Sequence, residues 1–143
     1  ELKDINPDIE LIPHFERLTK DSDVPKVDLV IDCLDSIGSR LVLDHLFFEK
    51  GRPIIHGSVF REMGQLTSLV PGKTDNYQIT FGVEDEPEEN TEKTIFPAKV
   101  TTLASLQVTE AVKCITKRYD QMLINKLLVV NLRKNQFETL PLR

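Results

Sequence analysis

The stretch VDLVIDCLDSIGSR, Val27 to Arg40, constrains the fold more than any other part of the chain. It opens on an aliphatic run, Val27 to Ile31, broken only by Asp28, then turns polar at Asp32 and Asp35 and passes into helical spacing. A near-continuous apolar run fits a parallel strand covered on both faces. A strand that ends in carboxylates and hands over to a helix is where open α/β sheets place their ligands. The helix is expected over about Ser36 to Glu49, with Asp35 or Ser36 as N-cap. Ile37, Leu41, Leu46 and Phe48 recur at helical spacing, and Gly51 closes the run. A strand over Pro53 to Phe60 then completes a βαβ unit of about 30 residues with a right-handed crossover.

The flanking sequence extends this unit into an α/β fold with a mixed sheet and flanking helices. The opening ELKDINPD reads as the end of a helix running into a strand, Ile9 to Phe15, which Pro13 pushes toward an edge or an end. Gly64 to Val70 follows Pro53–Phe60 through a connector short enough for a hairpin, so those two strands are expected antiparallel. Gly72 to Pro97 is irregular, and its Val83–Glu92 part holds six carboxylates in ten residues, which reads as a solvated loop. Val100 to Lys117 predicts a helix whose core face is Val100, Leu103, Ala104, Val108, Ala111, Val112 and Ile115. Its small residues Ala104, Ser105 and Ala111 are expected to allow close packing on a sheet. Lys126–Leu132 and Gln136–Leu140 read as a final hairpin turning at Arg133-Lys134-Asn135.

A length of 143 residues suits one domain with one core. The net charge of −5 argues against a nucleic-acid backbone or an anionic membrane surface as partner. No apolar run approaches the ~20 residues that span a bilayer. Cys33 and Cys114 are the only cysteines. Both fall in apolar-patterned elements and read as reduced packing residues of a cytoplasmic protein. Because the sequence starts at Glu1 within a helix-like stretch, it is expected to be a piece of a longer protein.

Asp32 and Asp35 are the leading candidates for chemistry. Three residues apart across a strand-to-helix junction, they can share a crevice, and a divalent cation relieves their repulsion. Mg²⁺ takes one or two protein carboxylates, with phosphate oxygens and waters in its other positions, and a helix N-terminus favours phosphate. The spacing alone leaves a second reading open, in which Asp35 is an N-cap and Asp32 a turn residue. Arg40 could reach phosphate or hold a carboxylate. His14, His45 and His56 form no metal-ligand spacing, and His56, on an apolar strand, reads as a satisfied core histidine. The chain has no glycine-rich phosphate loop, no dinucleotide fingerprint and no nucleophile elbow.

Taken as an ordered set, Ile5-Asn6-Pro7, VDLVIDCLDSIGSR, RPIIHGSV, GQLTSLVPG and LASLQVTEAVK resemble the ThiF/MoeB/HesA adenylyltransferases, relatives of ubiquitin-activating enzymes. The resemblance implies a Rossmann-like adenylation domain, with residues 1–143 its C-terminal part, residues 72–97 a crossover-type loop and the glycine-rich nucleotide half lying upstream. It implies Mg-ATP as cofactor, and adenylation of the C-terminal glycine of a ubiquitin-like sulfur-carrier protein with release of pyrophosphate. A homodimer and sulfur chemistry serving thiamine or molybdopterin follow from the same resemblance. Matched by position, Asp35 implies the Mg²⁺ ligand, Asp32 a supporting residue, Arg40 the organiser of the site, and Arg17 and Leu18 the surroundings of the adenine ring. Gly64-Gln65 matches a glycine–glutamine pair that opens a strand. Ser36 stands where the family carries Asn. Asn76-Tyr77-Gln78-Ile79 stands where the family places its first zinc-binding cysteine pair, so no zinc is expected. The crossover loop has no cysteine, which sets aside a covalent step there. Two alternatives stand beside this reading: a non-catalytic relative that docks a ubiquitin-like partner or second subunit, and half of a nicotinamide-dependent dehydrogenase.

Overall fold

The structure, a computed structural model, describes residues 2–60, 63–84 and 97–142. After a single helical turn, α1 (Leu2–Ile5), come β1 (Val30–Asp32), α2 (Ile37–Leu43), a π-helical turn (Asp44–Phe48), β2 (Ile54–Phe60) and β3 (Met63–Leu69). A short helix α3 (Tyr77–Phe81), the long helix α4 (Pro97–Ile115), a 3₁₀ turn (Tyr119–Gln121), β4 (Lys126–Asn131) and β5 (Gln136–Pro141) complete the order.

The strands form one sheet in the order β1-β2-β3-β4-β5. β1 and β2 are parallel, with Asp32 beside His56, and the other pairs are antiparallel. The βαβ unit, the β2–β3 hairpin and the terminal hairpin are therefore as the sequence predicts. Alternation along β2 splits the core: Ile55 joins the cluster under α4 with Leu66, Leu103, Ala111 and Val130, while Ile54 joins Leu41, Leu46, Phe47 and Leu69 under α2. This is the period-2 consequence of a strand covered on both faces.

Four expectations are corrected. Ile9–Phe15 forms no strand, and its apolar side chains, Phe15 above all, are exposed. Among the described residues no strand pairs with the outer edge of β1, and Ile9–Phe15 is not brought into register with it. β1 is shorter than Val27–Ile31, although Val27 and Leu29 still pack against the two cores. The helix over Ser36–Glu49 is two pieces. Ser36 caps it by accepting the Ser39 N–H at 3.1 Å. The helix then widens at Asp44, where Glu49 N donates to Asp44 O at 3.1 Å across five residues. The irregular segment contains α3, capped by Asn76 and ended by left-handed Gly82 at φ 60°. The acidic stretch from residue 85 onward and the β2–β3 turn at 61–62 lie outside the described residues.

The largest correction concerns α4. Its length is close to the expected one, but it packs on a different face. Val100, Ala104, Val108, Val112 and Ile115 are exposed; Leu103 and Ala111 are buried as expected, together with Lys99, Gln107, Glu110 and Cys114. Two of the three buried polar residues, Gln107 and Glu110, satisfy backbone or hydroxyl groups of the sheet side. Gln107 Nε2 donates to Asp32 O at 2.7 Å and to Ile55 O at 3.1 Å. Glu110 accepts from Ser68 Oγ and Leu123 N, both at 2.8 Å, and from Lys113 Nζ at 2.5 Å. Close approach comes from glycines of the sheet rather than from the helix's Ala104 and Ser105, which are exposed. A Cβ on Gly57 would lie 2.6 Å from Gln107 Cδ, and one on Gly64 would lie 3.0 Å from Leu103 Cδ1.

Candidate active site

The C-terminal end of β1 brings together Asp32 from that strand, Arg40 from α2 and His56 from β2. Asp32 is 1% exposed and all its acceptor sites face inward. Its Oδ1 accepts the Leu34 N–H at 2.9 Å. Its Oδ2 accepts Arg40 Nε at 3.0 Å and His56 Nδ1 at 2.7 Å. Arg40 is also buried, and its Nη2 donates to Leu34 O, so the guanidinium closes the β1–α2 turn as well as neutralising the acid. Burial alone would raise the Asp32 carboxyl; the His56 hydrogen bond, the Arg40 charge and the Leu34 N–H outweigh it and hold the carboxyl below its ordinary value.

His56 is 0% exposed, and burial lowers its basicity despite the carboxylate beside it. The imidazole is therefore neutral, with the Nδ1 proton directed at Asp32 and Nε2 facing Gln65 Nε2 at 3.4 Å. This tautomer is assigned from the hydrogen-bond geometry. Tyr77 and Phe81 of α3 pack against the ring in T-shaped contacts, at centroid distances of 5.1 and 5.0 Å. Arg40 also lies beside the Tyr77 hydroxyl, which burial pushes above the usual phenol range. His56 is thus the satisfied core histidine that its sequence position predicts.

Asp35 is placed differently from Asp32. It is exposed, at the start of the turn into α2, while Ser36 supplies the cap. The two carboxylates differ in setting: Asp32 is committed to the interior and Asp35 lies at the surface. Among the described residues, no group of three or more His, Cys, Asp or Glu side chains is arranged to hold a metal ion. Arg17 is exposed, and Leu18 packs half-buried against the core under α2. Cys33, expected to be packed, is exposed beside Asp32, whereas Cys114 is buried as predicted.

Sequence reasoning missed Asp44, Tyr77, Phe81 and Gln107 as neighbours of the site. Asp44 is 3% exposed and accepts the Gln78 N–H at 3.0 Å; burial raises its carboxyl above the ordinary value. A signal for it existed: Asp44 lies four residues after Arg40 inside LVLDHLFF, where a helix repeats its face. No helix among the described residues is long and apolar enough to cross a membrane.

Comparison with known proteins gives a consistent result. The family model for ThiF matches residues 1–143. HesA, vegetative, of Trichormus variabilis is 31% identical over 95% of this chain and 52% of its own length. The SAMP-activating enzyme E1 of Haloferax volcanii is 29% identical over 99% of this chain and 54% of its own. The chain spans about half the length of the curated relatives it matches. Among solved structures, E. coli MccB with MccA-N7isoASN superposes with a TM-score of 0.78 at 18% identity, covering 98% of this chain and 46% of MccB. That likeness shows a shared fold, a mixed sheet with flanking helices.

Proposed function

This chain belongs to the ThiF family, and from that premise we propose that it forms the C-terminal part of an ATP-dependent adenylyltransferase domain. Its substrate is the C-terminal glycine of a ubiquitin-like sulfur-carrier protein. The observation that carries the reading is the separation of roles between the two aspartates. Asp32 is committed inward to Arg40, His56 and Leu34, whereas Asp35 lies exposed three residues later, at the start of the turn into α2.

The reaction joins a glycine carboxylate oxygen to the α-phosphorus of ATP and breaks the α–β phosphoanhydride, so pyrophosphate leaves. It needs no protein nucleophile; alignment and offset of phosphate charge carry it. A single outward carboxylate suits Mg²⁺, which takes its remaining ligands from phosphates and waters; when bound, the ion offsets phosphate charge. Asp35 is the residue proposed to hold it. Arg40, with its guanidinium occupied by Asp32 and Leu34, acts by fixing the β1–α2 turn that presents Asp35. Arg17 and Leu18 are assigned to the adenine side, and residues 73–97 to the carrier's C-terminal tail. The phosphate-binding glycine loop, absent from these 143 residues, is assigned to a longer chain. Homodimer formation, a cytoplasmic setting and onward sulfur transfer belong to the same proposal. The relatives fit this reading: one is named as an activating enzyme, and MccB has been solved with ATP.

The test is ATP–pyrophosphate exchange by the full-length protein with a ubiquitin-like carrier. Asp35→Ala should lower exchange on the order of a hundredfold or more. Exchange within a few-fold of the unmutated enzyme would make Asp35 a surface residue and remove the proposed metal ligand.

A further inference from the structure

Asp44 and His56 fasten α3 to the aspartate–arginine cluster from two sides. Asp44 stands at the first position of the π turn, which widens the helix so that Asp44, Leu46 and Phe47 all turn inward. Its Oδ2 reaches across 34 residues of sequence to the backbone N–H of Gln78. Asp44 Oδ1 is buried and has no hydrogen-bond partner among the described residues. A buried carboxylate with one oxygen left without a partner costs stability, so its hold on the backbone N–H groups of Tyr77 and Gln78 is retained against an opposing energy. On the other side, the His56 ring makes T-shaped contacts with both Tyr77 and Phe81, whose own centroids are 4.8 Å apart, so the three rings form one triangular cluster. His56 in turn holds Asp32. Beyond the undescribed residues the chain resumes as α4, and Gln107 of that helix binds the Asp32 carbonyl. The segment that leaves after β3 is therefore tied to the end of β1 both before and after the acidic stretch.

We propose that Asp44, together with the His56–Tyr77–Phe81 ring cluster, positions residues 73–84 over the end of β1 and so sets the approach of the carrier's tail. This rests on the adenylation reading. Asp44 and His56 are positioning residues here: they act through the Gln78 amide and through the Tyr77 and Phe81 rings. In the adenylation reading α3 is assigned to the tail side and Asp35 to the nucleotide side.

Two measurements on the full-length protein test this. The first is hydrogen–deuterium exchange at the Gln78 amide. Asp44→Ala should accelerate it on the order of tenfold, the equivalent of one hydrogen bond to a charged acceptor, with β2 and β3 amides unchanged. Asp44→Asn keeps an oxygen acceptor and should restore protection. The second is the KM split in ATP–pyrophosphate exchange. Asp44→Ala and Phe81→Leu should raise KM for the carrier on the order of tenfold while KM for ATP stays within about twofold. Phe81→Leu retains apolar volume and reads the ring cluster even where Asp44→Ala fails to fold. Unchanged Gln78 exchange in Asp44→Ala, or equal rises in both KM values, overturns the proposal. If no carrier supports exchange at all, the adenylation reading fails. The amide measurement, which needs no substrate, still decides whether Asp44 holds α3.

Discussion

Asp32 Oδ2 and His56 Nδ1 lie 2.7 Å apart, opposite one another in the parallel β1–β2 pair and both sealed from solvent. Burial keeps the imidazole neutral in the fold, with its basicity below the free value of 6.5. In the unfolded chain it takes up a proton near that value. The stability that His56 contributes is therefore complete above pH 6.5 and is lost as pH falls through that value toward its lower folded one. Thermal unfolding followed from about pH 7.5 to pH 5 should show the midpoint falling, and His56→Asn should flatten that slope. The Asp32 contribution has the same sign but a lower window: it is present above 3.8 and is lost as pH falls through the depressed folded value. An unflattened slope in His56→Asn would place the pH dependence elsewhere.

Arg40 and Asp35 should separate cleanly in stability. Arg40→Ala leaves Asp32 buried without its cation and should cost about 3–5 kcal/mol in urea unfolding. Arg40→Lys should recover only part, because one ammonium cannot replace the planar fork that reaches both Asp32 and Leu34. Asp35→Ala, at an exposed position, should change unfolding by less than about 0.5 kcal/mol while it removes activity.

Gly57 and Gln107 form a coupled pair. Gly57→Ala drives a Cβ into the Gln107 carboxamide and should cost about 1–3 kcal/mol. Gln107→Ala strips the donor from the Asp32 and Ile55 carbonyls and should cost a similar amount, about 1–3 kcal/mol. The double variant should cost less than the sum of the two, since each single change breaks the same contact. Simple additivity in denaturant unfolding would contradict the close packing of α4 on β2.

Asp44 titrates with the opposite sign to Asp32 and His56. Burial raises its carboxyl above 3.8, and Asp32 and Glu49 add to the rise, against the opposing N–H groups of Tyr77 and Gln78. The stability it contributes is complete below 3.8 and is lost as pH rises through the folded value, because a buried charge must then form. Asp44→Asn should accordingly stabilise the protein more at about pH 7 than at about pH 4.5, measured as the difference in unfolding midpoint. A larger gain at the lower pH would reverse the assignment.

Much of the architecture is legible in the order of residues. Val27–Ile31 followed by Ser36 and a helical repeat specifies a βαβ unit, because a strand buried on both faces requires a crossover to its parallel neighbour. The two antiparallel hairpins follow from short connectors. The stripe Val100, Val108, Val112 and Ile115 misleads for a physical reason. Periodicity marks which residues are apolar, whereas burial in α4 follows which side chains satisfy the sheet, and there Gln107 and Glu110 displace the valines. The missing strand at Ile9–Phe15 has a related cause: alternation permits a strand, but one forms only where the chain is brought into register with a neighbour, and this stretch pairs with none among the described residues.

The sequence by itself determines the family, the strand–turn–helix that carries Asp32, Asp35 and Arg40, and the core setting of His56 on an apolar strand. Local chemistry suffices for these, since propensity, capping and spacing act within a few residues. Only the tertiary structure decides that Asp32 is committed to Arg40 and His56 while Asp35 stays outward. It alone places α3 against His56 and Gln107 against Asp32. The Asp32–His56 and Asp32–Gln107 bonds join residues 24 and 75 positions apart, and contacts at that separation are set by how the sheet and its two covering layers pack.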